Sequence, residues 1–172
     1  MSGGRKKHPP KKKHVNRPRL AVTKPMSEAD RASKAQEEFE KAMVHLIEAE
    51  RLSEWGMAPN ACVHAAYYAM HHCACAAILA AGGVGRYLDA PKSHEHVIQH
   101  YGNLVAGEQG ALGESGVVLN RARTDRMVAD YDLVRGATNE DAVIDAAAAR
   151  KFVQACMEKW GFHDKVTDDI DH

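Results

Sequence analysis

Between Asn60 and Gly83 the chain reads NACVHAAYYAMHHCACAAILAAGG, with apolar or small residues at almost every position. The bulky polar-capable side chains in its middle are His64, Tyr67, Tyr68, His71 and His72. A stretch with no polar face predicts a helix surrounded on all sides, either in a bundle or in a bilayer, which needs roughly 20 residues. The three histidines sit mid-segment, where a bilayer penalises polar rings, and the stretch is rich in alanine rather than leucine. The reading is therefore the central helix of a soluble all-helical domain without a membrane span. Pro59 suits its first turn and Gly82-Gly83 its stop, since glycine tolerates the left-handed backbone past a helix end.

The flanking pattern is amphipathic. Ala32, Ala35, Phe39, Met43, Leu46, Ile47 and Leu52 recur at three- and four-residue steps, which predicts one apolar stripe on a helix of roughly 28 residues. Ser27 and Asp30 form a capping box at its start, and Gly56 ends it. The short link to the central helix makes the two antiparallel neighbours. Ser93 caps a short third helix carrying Val97, His100, Tyr101 and Leu104. Gly107, Gly110, Gly113 and Gly116 then break the pattern, which predicts a mobile loop. A fourth helix is expected over Val117–Val134, with Val118, Leu119, Ala122, Met127, Val128 and Tyr131 inward and Arg121, Arg123, Arg126 and Arg135 alongside. Thr138 to Asp141 cap a fifth, from about Ala142 to Trp160, burying Val143, Ala146, Ala147, Val153, Cys156, Met157 and Trp160. The architecture expected is all-α: an antiparallel helical bundle of four long helices plus a short one.

Charge adds a second feature. The 172 residues carry no net charge, yet residues 1–24 hold nine Lys or Arg and no acid, which leaves 14 bases against 23 acids in the body. This divides the chain into a disordered basic arm at 1–26, a bundle at 27–163 and an acidic tail at 164–172. Such an arm either touches phosphates in a salt-sensitive way or only solubilises the chain. Cys62, Cys73, Cys75 and Cys156 lie on apolar helical patterns without disulfide-scaffold spacing, so they read as free, buried thiols of a cytoplasmic protein. The basic start is not followed by the apolar segment of a secretory signal.

Among chemistry-bearing patterns, His96 and His100 are four apart as two metal ligands would be, but a third ligand with definite spacing is missing. Cys73 and Cys75 point about 200° apart on a helix and cannot share an ion. No metal and no cofactor is expected. Gly82-Gly83-Val84-Gly85 follows a helix, whereas a phosphate cradle requires a preceding strand. What remains is Arg126, Asp130 and Tyr131 on the fourth helix with Tyr67, Tyr68, His71 and His72 on the central one. Arg126 and Asp130 are four apart and can pair on one face, either as a structural pair or as part of a site.

The run Ala65-Ala-Tyr-Tyr-Ala-Met-His-His72, then Lys92-Ser93-His94 opening a short helix, then Arg126-x-x-Ala-Asp130-Tyr131, resembles the HEPN superfamily over about residues 30–160. The likeness is to the branch with a tyrosine pair, a Lys-Ser/Thr-His motif and an Arg-x-x-Ala-Asp-Tyr ending. It implies a homodimer acting on or binding RNA in a toxin–antitoxin or defence setting, often beside a minimal nucleotidyltransferase antitoxin. If the protein is an enzyme, the resemblance implies a metal-independent endoribonuclease. Arg126 would then hold the scissile phosphate with Asp130 and Tyr131 as catalytic partners, while His94, Lys92, Tyr67 and His71 line the substrate cleft. Two positions depart from the nuclease motif Arg-x(4–6)-His. Tyr131 stands where the shortest spacing puts the histidine, and Met127 where a polar residue often follows the arginine. A tyrosine, titrating near 10 in free form, is a poor general base at neutral pH. The alternative is a non-catalytic HEPN module that binds a nucleotide or a partner protein, with the Arg126–Asp130 pair holding helices together. A third reading is a nucleic-acid-binding accessory contacting its target mainly through the arm.

Overall fold

The computed structural model describes residues 24–132 and 136–164, and the basic arm before residue 24 and the tail after residue 164 lie outside it. Among the described residues five helices follow one another: α1 (Glu28–Trp55), α2 (Pro59–Ala80), α3 (His94–Val105), α4 (Gly110–Tyr131) and α5 (Asn139–Trp160). Four are long, at 28 or 22 residues, and α3 has 12, which is the all-α bundle expected from the periodicity. No described helix is long and apolar enough to cross a membrane.

The helix ends follow local chemistry. Ser27 Oγ accepts from the Asp30 amide at 3.1 Å and donates to the Asp30 carboxylate at 2.6 Å, and Gly56 closes α1 in the left-handed region. Ser93 caps α3, and a complete capping box of Thr138 and Asp141 opens α5. At Gly83 a Cβ would stand 2.0 Å from the Leu88 carbonyl oxygen, so only glycine admits the turn in which Val84 pairs with Asp89. Lys34 of α1 ties that turn down with a 2.6 Å contact to Asp89.

Helix α2 is the hub. Its side chains from Cys62 to Leu79 are buried except along one face, where His64, Tyr68, His71 and His72 are half-buried. Cys62 Sγ donates to Ala49 O while His72 meets Glu38, so α1 runs antiparallel to α2. Tyr101 of α3 reaches Ser115 of α4 at 2.8 Å and Cys156 of α5 at 3.2 Å, joining three helices in one buried polar knot. All four cysteines are free and buried.

Three expectations are corrected. Helix α4 begins at Gly110 rather than Val117, because the glycine-rich stretch is a packed helix start rather than a loop. A Cβ at Gly113 would stand 2.2 Å from Glu108 O, and one at Gly116 would stand 3.2 Å from Gly102 Cα where α3 crosses. Of the positions expected to face inward, Leu119 and Ala122 are buried, but Met127, Val128 and Tyr131 are exposed, since α2 covers only one narrow stripe of α4. On α5 the buried stripe runs through Ala142, Ala146, Ala149, Val153 and Cys156, which turns Val143 and Ala147 outward. Val134 and Arg135, expected near the end of α4, lie outside the described residues.

Candidate functional site

One face of α2 carries His64, Tyr68, His71 and His72, at steps of four and three residues that stack side chains along a helix. Opposite them α3 begins with His94 immediately after its Ser93 cap, and the last turns of α4 bring up Arg126 and Asp130. From the other side α1 contributes Glu38 and His45. A cluster of imidazole and phenol rings results, with charged groups at both edges.

At the α4 edge, Arg126 lies between two tyrosines, its guanidinium carbon 5.8 Å from the Tyr68 ring centre and 5.5 Å from that of Tyr131. Its Nε is 2.6 Å from Asp130 Oδ2, a close ion contact that lacks hydrogen-bond alignment. His64 Nδ1 lies 3.2 Å from both Asp130 oxygens, so a single carboxylate serves an arginine and a histidine. Deeper in, the Tyr67 hydroxyl and His94 Nδ1 are 2.6 Å apart, and the His71 ring packs on His94 at 4.4 Å. At the α1 edge, Glu38 takes His72 at 2.7 Å and Lys41 at 2.6 Å, and His45 stacks nearly parallel on His72. Arg123 reaches across to Glu95 of α3 at 3.0 Å.

No known family model matches this chain. No curated protein matches it either.

Tyr67 is 1% exposed, and burial pushes its hydroxyl up to about 12, so it keeps its proton at neutral pH. A buried hydroxyl proton requires an acceptor, and His94 Nδ1 is the one within reach. Burial, followed by the charges of Arg126 and Arg123, lowers the His94 pKa, so this ring is neutral at pH 7 and carries its proton on Nε2. His94, Arg123 and Arg126 therefore all present N–H donors, and the two arginines meet the carboxylates of Glu95 and Asp130. His71 is held neutral more firmly, with burial and then the His94 and His72 charges lowering it to about 3, and its Nδ1 has no hydrogen bond.

The sequence candidates divide clearly. Arg126, Asp130, Tyr131, Tyr67, His71 and His94 share this cluster, with Tyr131 70% exposed at its mouth. Lys92 does not belong to it in the same way: it is exposed in the turn before α3, where its charge bears on Asp89. His96 and His100 are exposed, and no described group of three or more His, Cys, Asp or Glu is arranged to hold a metal. Sequence reasoning missed His64, Arg123 and the α1 residues Glu38 and His45 as members of the cluster. The four-residue step from His64 to Tyr68 and the three-residue step from Arg123 to Arg126 are readable signals, whereas nothing in the α1 pattern distinguishes His45 from a surface residue.

Proposed function

We propose that this chain is a HEPN-type domain that binds RNA through its Tyr–His–Arg cluster. The observation that supports the reading best is the Arg126 guanidinium within cation–π distance of both Tyr68 and Tyr131, beside the neutral, Nε2-protonated His94. Arginine over aromatic rings leaves N–H groups free for a phosphate, and an exposed tyrosine offers a face on which a base can stack. Cleavage is less well supported, because a general base must be free to accept a proton and His94 Nδ1 is already occupied by Tyr67. In the same reading the protein is a homodimer in a toxin–antitoxin or defence setting, with a minimal nucleotidyltransferase as its antitoxin partner. Exposed Met127 and Tyr131 supply apolar surface for a second copy beside the cluster.

The rival role for Arg126 is structural, favoured by its contact with Asp130 at 18% and 21% side-chain exposure. Fluorescence anisotropy with a labelled single-stranded RNA separates the two. On the RNA-binding reading, Arg126→Ala weakens binding tenfold or more and leaves the melting temperature within a few degrees, while Arg126→Lys restores only part of the affinity. Loss of about 2 kcal/mol or more of stability with RNA binding unchanged would assign Arg126 to the structural pair. An intact oligomer on a gel after prolonged incubation is expected if the domain binds without cutting.

A further inference from the structure

On the other side of α4, away from the ring cluster, three adjoining hollows run between α4 and α5 over a floor of α2. Ile144 lines all three, and Val118, Arg121, Asp145 and Ala148 each line two, so they form one furrow. Its larger part, about 400 Å³, is walled mainly by alanines, Val118 and Phe152. The buried hydroxyl of Ser115 there is already engaged by the Leu112 carbonyl and Tyr101. The opposite end, about 120 Å³, is acidic and holds Asp125, Asp141 and Asp145.

Asp145 distinguishes this end from an ordinary solvated acidic patch. It is 7% exposed, it faces the furrow, and it has neither a hydrogen bond nor an ion pair with any described residue. The other groups around it are committed elsewhere. Arg121 pairs with Asp125 at 3.5 Å on α4, Asp141 closes the cap of α5 with Thr138, and on α2 Cys62 is a thiol raised to about 11 by burial and by Asp145 itself. Three carboxylates therefore face one guanidinium, and the innermost has no partner. A buried carboxylate without one is costly and favours a cation that supplies donors.

We propose that this furrow binds a primary alkylammonium ion, with the ammonium on Asp145 and the alkyl stem along the apolar run toward Phe152. The three N–H donors of an ammonium can reach Asp145 and the rim carboxylates in different directions. Asp145 and Phe152 are seven residues apart on α5, about 10 Å along its axis, which an extended stem of about six to eight carbons covers. The site is independent of the RNA reading, since it shares no residue with the cluster.

The test uses the full chain and hexylammonium, with 1-hexanol and hexanoate as controls, followed by amide shifts of residues 144–152 and by calorimetry at pH 7.5. Hexylammonium is expected to saturate, with hexanol at least tenfold weaker and hexanoate silent. Asp145→Asn is expected to lower hexylammonium affinity at least tenfold while leaving hexanol unchanged. Burial and the Asp125 charge raise Asp145 to about 6, so affinity for the ammonium falls as the pH drops from 7.5 to 5. Ala148→Leu narrows the stem channel and is expected to weaken both compounds, which keeps the test decisive if Asp145→Asn does not fold. Equal affinity for hexanol and hexylammonium, full affinity in Asp145→Asn, or no binding at millimolar concentration would each overturn the proposal.

Discussion

At His71 burial costs the imidazolium more than any neighbouring charge returns. The ring is lowered to about 3, with the His94 and His72 charges adding to burial and Glu38 opposing them. In the unfolded chain an imidazole titrates near 6.5, so between about pH 6.5 and 3 the unfolded state binds the extra proton and stability rises with pH. His71→Leu is expected to reduce the loss of stability between pH 7 and pH 4.5 measured by guanidinium chloride unfolding, though not to remove it, since His45 and His94 are also lowered by burial. Parallel slopes for the two proteins would show that His71 is not the group being titrated. Glu38 works in the same direction at lower pH, but through its partners rather than through burial. Burial raises it, yet the His72 and Lys41 contacts prevail and hold it at about 2, so its contribution is full above pH 4.5 and lost as the pH falls through 2. Glu38→Gln is expected to cost about 1–2 kcal/mol at pH 6, a gap that closes toward pH 2. An equal gap at both pH values would assign the loss to packing. The sequence showed Arg126, Asp130 and Tyr131 as a set because four- and five-residue steps are visible in one helix. Their partners Tyr68 and His64 come from another helix, and only packing brings them within 6 Å.

For single elements, the two glycines that mislead a sequence reading of α4 make a sharp contrast with one in α3. Alanine is the better helix former by about 1 kcal/mol, and at Gly102 a Cβ meets nothing within 4 Å, so Gly102→Ala is expected to raise stability by about 0.5–1 kcal/mol. At Gly113 the same methyl would meet Glu108 O at 2.2 Å, a backbone atom that cannot swing aside, and Gly113→Ala is expected to destabilise despite its propensity. Thermal melts of the two variants should move in opposite directions. Helix α2 gives the element-scale test of the core. Ala74 and Ala77 are fully buried, so aspartate at either position strands a carboxylate among apolar neighbours at a cost of several kcal/mol. Well-folded variants of unchanged stability would contradict the central position of α2.

Across the whole molecule, nine bases precede a body of opposite charge. Removing residues 1–23 is expected to leave helicity and melting temperature nearly unchanged, because that lysine- and proline-rich stretch offers little to bury and the truncation keeps the Met26 N to Tyr87 O bond. If the arm contacts phosphates, the same truncation flattens the salt dependence of RNA binding in proportion to the charges lost. A salt slope identical in both proteins would confine phosphate contact to the body. Sedimentation velocity tests the proposed homodimer, which requires a concentration-dependent shift near micromolar protein that Tyr131→Asp at the exposed end of α4 weakens.

All the helices but the start of α4 were legible in the pattern along the chain. Apolar periodicity located α1 and α5, unbroken apolarity identified α2 as the buried hub, and Ser27, Ser93, Thr138, Gly56 and Gly161 set ends that the structure keeps, because capping and hydrophobic burial are local or one-dimensional signals. Tertiary structure alone decided why Gly113 and Gly116 are glycine, which face of α4 is covered, and which nitrogen of His94 bears the proton. Each depends on an atom from a distant part of the chain, or from a neighbouring turn brought back by the fold: Glu108 O, Gly102 Cα and the Tyr67 hydroxyl. Asp145 shows the division most plainly. In sequence it is one polar residue before an alanine run, and it becomes a buried carboxylate without a partner only because α2, α4 and α5 enclose it.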